Sequence, residues 1–183
     1  MTPSVRAAEL FRRADAFEYA WCLRLNRSCR QSFVRNFFAI VSRLGDGVFW
    51  YALMVLLPIL YGAAGVVPAL RMGAVGVAGV AIYKALKSRL VRERPYISLA
   101  GIVPGTPPLD RYSFPSGHTL HAVSFSIVIL NSFPAFAILV VPFAVLVAAS
   151  RVVLGLHYPS DVIAGATIGG MLAFVAIQVI PST

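Results

Sequence analysis

Residues 150–161 read SRVVLGLHYPSD, and they place an arginine, a histidine and a carboxylate at the end of a very apolar helix. Arg151 offers a planar guanidinium group that suits phosphate oxygens. If Asp161 accepts one ring N–H of His157, the other ring nitrogen is oriented and basic enough to attack phosphorus. This stretch therefore predicts a phosphate-handling site with His157 as the nucleophile and Asp161 as its partner.

A second stretch of the chain supplies more positive charge. Residues 87–95 read KSRLVRERP. Lys87 contributes a point charge, and Arg94 contributes a second planar fork for phosphate oxygens. We therefore predict that both side chains bind phosphate.

A third stretch, PSGH at residues 115–118, stands at a predicted helix start. Free backbone N–H groups and the helix dipole favour an anion there, which makes Ser116 and Gly117 candidate phosphate ligands. Gly117 also lets the backbone approach the phosphate closely. His118 could protonate the departing oxygen as a general acid.

The composition places these stretches in a membrane protein. The 183 residues are 58% hydrophobic and 13% charged, with a mean hydropathy of +0.79, whereas a soluble domain carries about 25% charged residues. The net charge of +9 indicates an anionic lipid bilayer as the partner of so apolar a chain, and not nucleic acid.

Apolar runs predict an all-α integral membrane helical bundle. Gly45-Asp46-Gly47 opens the first run, and turn-forming residues divide the next one. The predicted spans are residues 48–61, 66–83, 119–130, 135–149 and 162–180. A single span over residues 48–70 is the alternative to the first two.

The first 44 residues differ in pattern from the rest. Apolar residues recur at three- and four-residue steps over residues 5–25 and again over 33–44, with arginines between them. This pattern predicts two amphipathic interfacial helices, although helices packed on the bundle fit it equally well. We therefore divide the chain into an interfacial segment, 1–44, and a transmembrane domain, 45–183.

The predicted span order brings all three motifs to one membrane face. That face also carries fifteen of the sixteen Lys and Arg residues, with only Arg71 on the other side. By the positive-inside rule this distribution favours a cytoplasmic site.

Carboxylates are scarce on the predicted site face. Only Glu93, Asp110 and Asp161 are available there, and a magnesium site needs several convergent carboxylates. We therefore predict catalysis without a metal or any other cofactor.

Several residues near the motifs have simpler interpretations. Asp46 is expected to cap the first span, with a place in the site as the alternative. His121 lies one turn after His118 and is interpreted as a helix-packing residue or a neighbour of the pocket. Three further basic residues are interpreted as juxtamembrane charges: Arg89, Arg92 and Arg111.

The elements Lys-x6-Arg-Pro, Pro-Ser-Gly-His and Ser-Arg-x5-His-x3-Asp resemble, in order and without departure, the motifs of the type 2 phosphatidic acid phosphatase (PAP2) superfamily. The resemblance covers about the last three quarters of the chain, from the Gly45-Asp46-Gly47 turn onward. It implies that His157 forms a phosphohistidine, with Asp161 as its partner and His118 as the acid. The phosphate cradle that it implies consists of Lys87, Arg94, Ser116, Gly117 and Arg151.

The expected function is that of a lipid phosphatase in a bacterial inner membrane. Candidate substrates are phosphatidic acid, phosphatidylglycerol phosphate and undecaprenyl diphosphate, whose tails can stay in the bilayer. A lipid phosphotransferase and a non-enzymatic lipid-binding or transport protein are the alternatives. Many bacterial relatives implied by the resemblance act at the outer face, so the side of the site stays open, as does the oligomeric state.

Overall fold

The chain folds almost entirely into helices, as its apolar runs predicted. A computed structural model describes residues 3–108 and 110–181, so the outermost residues of both predicted segments, 1–2 and 182–183, lie outside the described residues. No strand forms within these ranges, which confirms the predicted all-α class. The α-helices are α1 Pro3–Asn26, α2 Ser32–Arg43, α3 Phe49–Tyr61, α4 Ala63–Arg89, α5 Pro95–Ser98, α6 Gly117–Ser132, α7 Ala137–Val153 and α8 Pro159–Val179.

Helices long and apolar enough to cross a membrane occur four times in the described chain. They are Ser32–Tyr61, Ala63–Arg89, Pro134–Val153 and Pro159–Val179. Gly62 ends α3 with a φ of 56°, so α3 and α4 are separate helices. The alternative of one span over residues 48–70 is therefore wrong.

The first of these spans is longer than the sequence pattern predicted. α2 and α3 are joined by a π-helical turn at Leu44–Val48, in which Gly47 has a φ of 136° that glycine tolerates. Because the backbone at Gly47 is not helical, α2 and α3 are two helices that meet at a kink. Residues 33–44 form α2, which packs against α7, so the alternative of a helix packed on the bundle fits this segment. The predicted division between residues 44 and 45 falls in the turn between α2 and α3.

The centre of the bundle is α6, which packs against α4, α7 and α8. Its 16 residues rise only about 24 Å, less than a bilayer core of about 30 Å. The backbones of α6 and α8 approach closely, because a Cβ atom on Gly165 would lie 2.4 Å from the carbonyl oxygen of Ser116. Gly165 and Gly169 therefore lie where α6 and α8 come into contact.

The N-terminal helix α1 has two different faces. Phe17 and Trp21 are 81% and 57% exposed on one side. Glu18, Cys22 and Asn26 are buried on the other side, against the bundle. The helix therefore packs on the bundle while keeping an apolar stripe exposed, which fits the interfacial placement predicted for it.

Candidate active site

The predicted motifs meet around one cavity at the end of the bundle. The cavity has a volume of about 530 Å³ and opens between α3, α4 and α6. Six of the eight predicted site residues line it: Lys87, Arg94, Gly117, His118, Arg151 and His157. The other two, Ser116 and Asp161, are fully buried beside it.

His157 lies in the short turn between α7 and α8 and is 2% exposed. Its Nε2 atom is 3.2 Å from Nη1 of Arg94. Guanidinium N–H groups only donate, so Nε2 must be the accepting nitrogen, and the proton of the neutral ring belongs on Nδ1. Nδ1 is 3.6 Å from Oδ2 of Asp161, which is longer than a hydrogen bond.

The surroundings of His157 favour its neutral form. Burial lowers its pKa well below the ordinary histidine value, and the nearby positive charges of Arg94, Arg151 and Lys87 lower it further. A neutral ring has a free lone pair on Nε2. The geometry therefore presents an unprotonated nitrogen to the cavity.

The closest partner of Asp161 is a residue that the sequence analysis assigned elsewhere. Nη1 of Arg92 lies 2.5 Å from Oδ1 of Asp161, and the Tyr158 N–H donates to Oδ2 at 2.9 Å. Arg92 also binds Asp15 at 2.6 Å and Glu18 at 2.9 Å, both on α1. The interpretation of Arg92 as a juxtamembrane charge is therefore wrong.

A carboxylate lies between two predicted phosphate ligands. Lys87 Nζ donates to both oxygens of Asp110, at 3.0 and 2.8 Å, and Arg94 Nη2 donates to Oδ1 at 2.8 Å. Burial alone would raise the pKa of Asp110, but the hydrogen bonds from Lys87 and Arg94 hold it below its usual value. The two cations are thus spaced to bind the oxygens of one anion.

Arg151 is buried and lines the same cavity as His157. Its Nη1 donates to the hydroxyl of Ser42 on α2, while its buried Nε has no hydrogen-bond partner among the described residues. A buried guanidinium with an unused donor at a cavity suits an anionic ligand.

The PSGH stretch holds the start of α6. The Ser116 side chain caps the helix by accepting from the Thr119 N–H, and the Ser116 N–H donates to the Asp161 carbonyl at 3.1 Å. Its hydroxyl therefore faces its own helix and not the cavity, unlike Gly117 and His118.

His118 has a partner that the sequence analysis placed elsewhere. Its Nε2 is 3.3 Å from Oδ1 of Asp46, which lines the cavity. Asp46 makes no capping hydrogen bond to α3, so the favoured expectation of a cap is wrong. His121 stacks on Phe125, with ring centroids 5.3 Å apart, and also borders the cavity.

The donor set of the site is cationic and not metal-binding in type. Within residues 3–108 and 110–181, no three His, Cys, Asp or Glu side chains are grouped to hold a metal ion. The carboxylates of Asp110 and Asp161 are both engaged by cationic side chains.

The fold is shared with solved membrane phosphatases. The transmembrane PAP2-type phosphatidylglycerolphosphate phosphatase of Bacillus subtilis superposes with a TM-score of 0.68 at 24% identity, over 97% of this chain and 96% of that one. LpxE of Aquifex aeolicus gives a TM-score of 0.75 at 24% identity, over 88% and 95% of the two chains.

Curated relatives match shorter stretches of the chain. An undecaprenyl-diphosphatase of Sulfolobus acidocaldarius is 42% identical over 73 residues, which are 39% of this chain and 35% of the relative. A decaprenylphosphoryl-5-phosphoribose phosphatase of Mycolicibacterium smegmatis is 39% identical over 82 residues, or 44% and 42% of the two chains. Each match thus spans less than half of the relative's length.

A family profile described as the PAP2 superfamily matches residues 68–182. This range contains all three motifs and every residue of the cradle around His157. Fold, motifs and profile agree, and the chain belongs to the PAP2 superfamily.

Proposed function

We propose that this protein is a lipid phosphatase that works through a phosphohistidine at His157. The observation that carries the proposal is the position of His157 at the wall of the cavity, where its Nε2 lies 3.2 Å from Nη1 of Arg94. Its Nδ1 is turned toward Asp161. A histidine oriented in this way can act as a nucleophile toward a phosphate held by Arg94, Lys87 and Arg151.

The reaction takes two steps. In the first, Nε2 of His157 bonds to phosphorus, the bond between phosphorus and the lipid oxygen breaks, and His118 gives its proton to that oxygen. In the second, water bonds to phosphorus, the P–N bond breaks, and the proton from water goes to His118. Inorganic phosphate leaves, and both histidines return to their starting states.

The walls of the cavity support a lipid substrate. One side carries the cationic cradle, and the other consists of apolar side chains, among them Trp50, Met54, Val77, Val80 and Phe125. A phosphate on a membrane lipid would place its headgroup in the cradle and its chain along these residues. Phosphatidic acid, phosphatidylglycerol phosphate and undecaprenyl diphosphate are the substrates we propose to compare.

Catalysis is proposed to need no metal ion, because cationic side chains supply the charge that would stabilise the phosphoryl group. The test is phosphate release by the purified protein on the three lipids, with and without EDTA. We expect activity on at least one lipid, unchanged by EDTA and inhibited by vanadate. Loss of activity in EDTA would contradict the metal-free mechanism.

The role of His157 is tested in the same assay. His157→Ala should abolish phosphate release, because the proposed first step needs Nε2 of this side chain as the nucleophile. Full activity in this variant would refute the proposal.

A further inference from the structure

The π-helical turn at Leu44–Val48 carries the only carboxylate that contacts His118 within the described chain. Asp46 Oδ1 lies 3.3 Å from Nε2 of His118. The glycines on both sides keep this turn in place. A Cβ atom on Gly45 would lie 2.7 Å from the Val147 side chain, and Gly47 has a φ of +136° that other residues rarely adopt.

The position of Asp46 has no evident purely structural purpose. Val48 precedes α3 without a side-chain capping bond, and the Asp46 side chain is 49% exposed. That exposure is toward open space in the site. Asp46, His118 and Arg151 line both the main cavity and a second cavity of about 540 Å³ beside Thr106. The carboxylate therefore lies between the two cavities, beside the space that a substrate would occupy.

We infer that Asp46 is a positioning residue for His118. It accepts the ring N–H at Nε2, directs the other ring nitrogen toward the leaving oxygen, and stabilises the imidazolium that carries the proton. Asp161 lies 3.6 Å from Nδ1 of His157, so each of the two histidines has a carboxylate nearby. This inference rests on the proposed phosphatase function.

Two substrates with different leaving groups can distinguish a positioning role of Asp46 from a purely structural role. A lipid alkoxide leaves only with a proton, whereas 4-nitrophenolate leaves readily without one. We expect Asp46→Asn to lower kcat/KM for phosphatidic acid by about 100-fold, the lower end of general acid catalysis. For 4-nitrophenyl phosphate, kcat/KM should change little, because this constant reports only the steps up to release of the first product.

The second step gives an independent readout. Because His118 must also accept the proton from water, the Asp46→Asn variant should hydrolyse its phosphohistidine slowly. Rapid mixing with 4-nitrophenyl phosphate should then show a burst of one nitrophenolate per active site, followed by slow turnover. Asp46→Glu should restore part of the activity.

The controls distinguish failure of this inference from failure of the function. Glu9→Gln removes an exposed carboxylate that pairs with Arg13, and it should match the wild type on both substrates. In a His118→Ala background, Asp46→Asn should cause no further loss. Equal losses on both substrates, or no loss on either, would overturn the inference while the wild type stays active; a wild type inactive on every lipid would overturn the proposed function as well.

Discussion

The chemistry of His157 follows from the charges around one ring. Two guanidinium groups and an ammonium group lie on its cavity side, and the carboxylate of Asp161 lies 3.6 Å behind it. Positive neighbours and burial disfavour a second proton on the ring. The side chain is therefore kept neutral, with its lone pair on the nitrogen that faces Arg94.

This arrangement predicts how His157 titrates. Its pKa is lowered well below the ordinary value by burial and by Arg94, and a lowered histidine pKa means that the neutral form persists to more acidic pH. In ¹⁵N-histidine NMR of the substrate-free protein in detergent, His157 should remain neutral below pH of about 6.5, the ordinary histidine value. The chain has three histidines, so His157→Asn assigns the signal. Titration at or above the ordinary value would show that the ring is not in this electrostatic environment.

Two residues whose roles were not predicted, Arg92 and Asp46, each contact a motif residue that is far away in the sequence. Arg92 contacts Asp161, and Asp46 contacts His118. Arg92 pairs with Asp161 over 69 positions and with Glu18 over 74. Nothing in the sequence around Arg92 distinguishes it from Arg89, since both stand in the same basic run. The motif residues themselves could be placed because their spacing is local, whereas ion pairs between distant helices depend on the packed structure.

At the scale of the helices, Arg92 links α1 to the start of α8 through ion pairs. The guanidinium is 1% exposed and contacts three carboxylates: Asp15, Glu18 and Asp161. Its carbon centre also lies 3.9 Å from the ring centroid of Tyr158. The loop before α5 is thereby fastened to the N-terminal helix and to the partner of the nucleophile.

Removing this cation should leave buried carboxylates without a partner. We expect Arg92→Met to lower the free energy of unfolding by about 3–5 kcal/mol, as for other broken buried ion pairs, and to lower activity with it. Thermal unfolding in detergent measures the effect. Arg89→Met changes an exposed arginine of the same segment and should stay close to the wild type. Equal stability of the two variants would contradict the link between α1 and α8.

Helix contact gives a second prediction at this scale. A Cβ atom on Gly169 would lie 2.3 Å from the Leu120 carbonyl oxygen, whereas one on Gly170 would meet only Ile127 at 3.8 Å. Gly169→Ala should therefore separate α6 from α8 and lower the melting temperature. Gly170→Ala should be neutral or stabilise by about 0.5–1 kcal/mol, because alanine favours the helix. The reverse order of melting temperatures would refute this packing.

The helices themselves could be predicted from apolar runs, but the conformation of the connections between them could not. Gly62 separates α3 from α4, whereas Gly45 and Gly47 lie in the kinked turn between α2 and α3. Both places read as turn signals in the sequence, because glycine permits either conformation. The outcome depends on what packs against the joint, here Val147 on α7 beside Gly45.

At the scale of the whole molecule, the predicted span order places almost all positive charge on the membrane face that carries the site. Fifteen of the sixteen Lys and Arg residues fall on that face. The exception is Arg71, which donates to the Ile180 carbonyl at the opposite end of the bundle. By the positive-inside rule the site should face the cytoplasm.

Cysteine labelling tests this orientation. Both native cysteines are buried, so a membrane-impermeant reagent would report on single introduced cysteines. In intact cells Ser98→Cys, at the site end, should resist labelling, and Ala63→Cys, at the other end, should react. Permeabilised cells should label both. Labelling of Ser98→Cys alone in intact cells would reverse the orientation.

The central claim is that a covalent bond forms between phosphorus and Nε2 of His157. Its most direct test is to trap the phosphorylated protein during turnover. The purified protein is mixed with phosphatidic acid, quenched in alkali to preserve an acid-labile phosphoramidate, digested and analysed by mass spectrometry. We predict a phosphoryl adduct on the peptide that contains His157, which accumulates further in Asp46→Asn and is absent from His157→Ala. Continued turnover with no adduct on this peptide, or an adduct on another residue, would contradict the account.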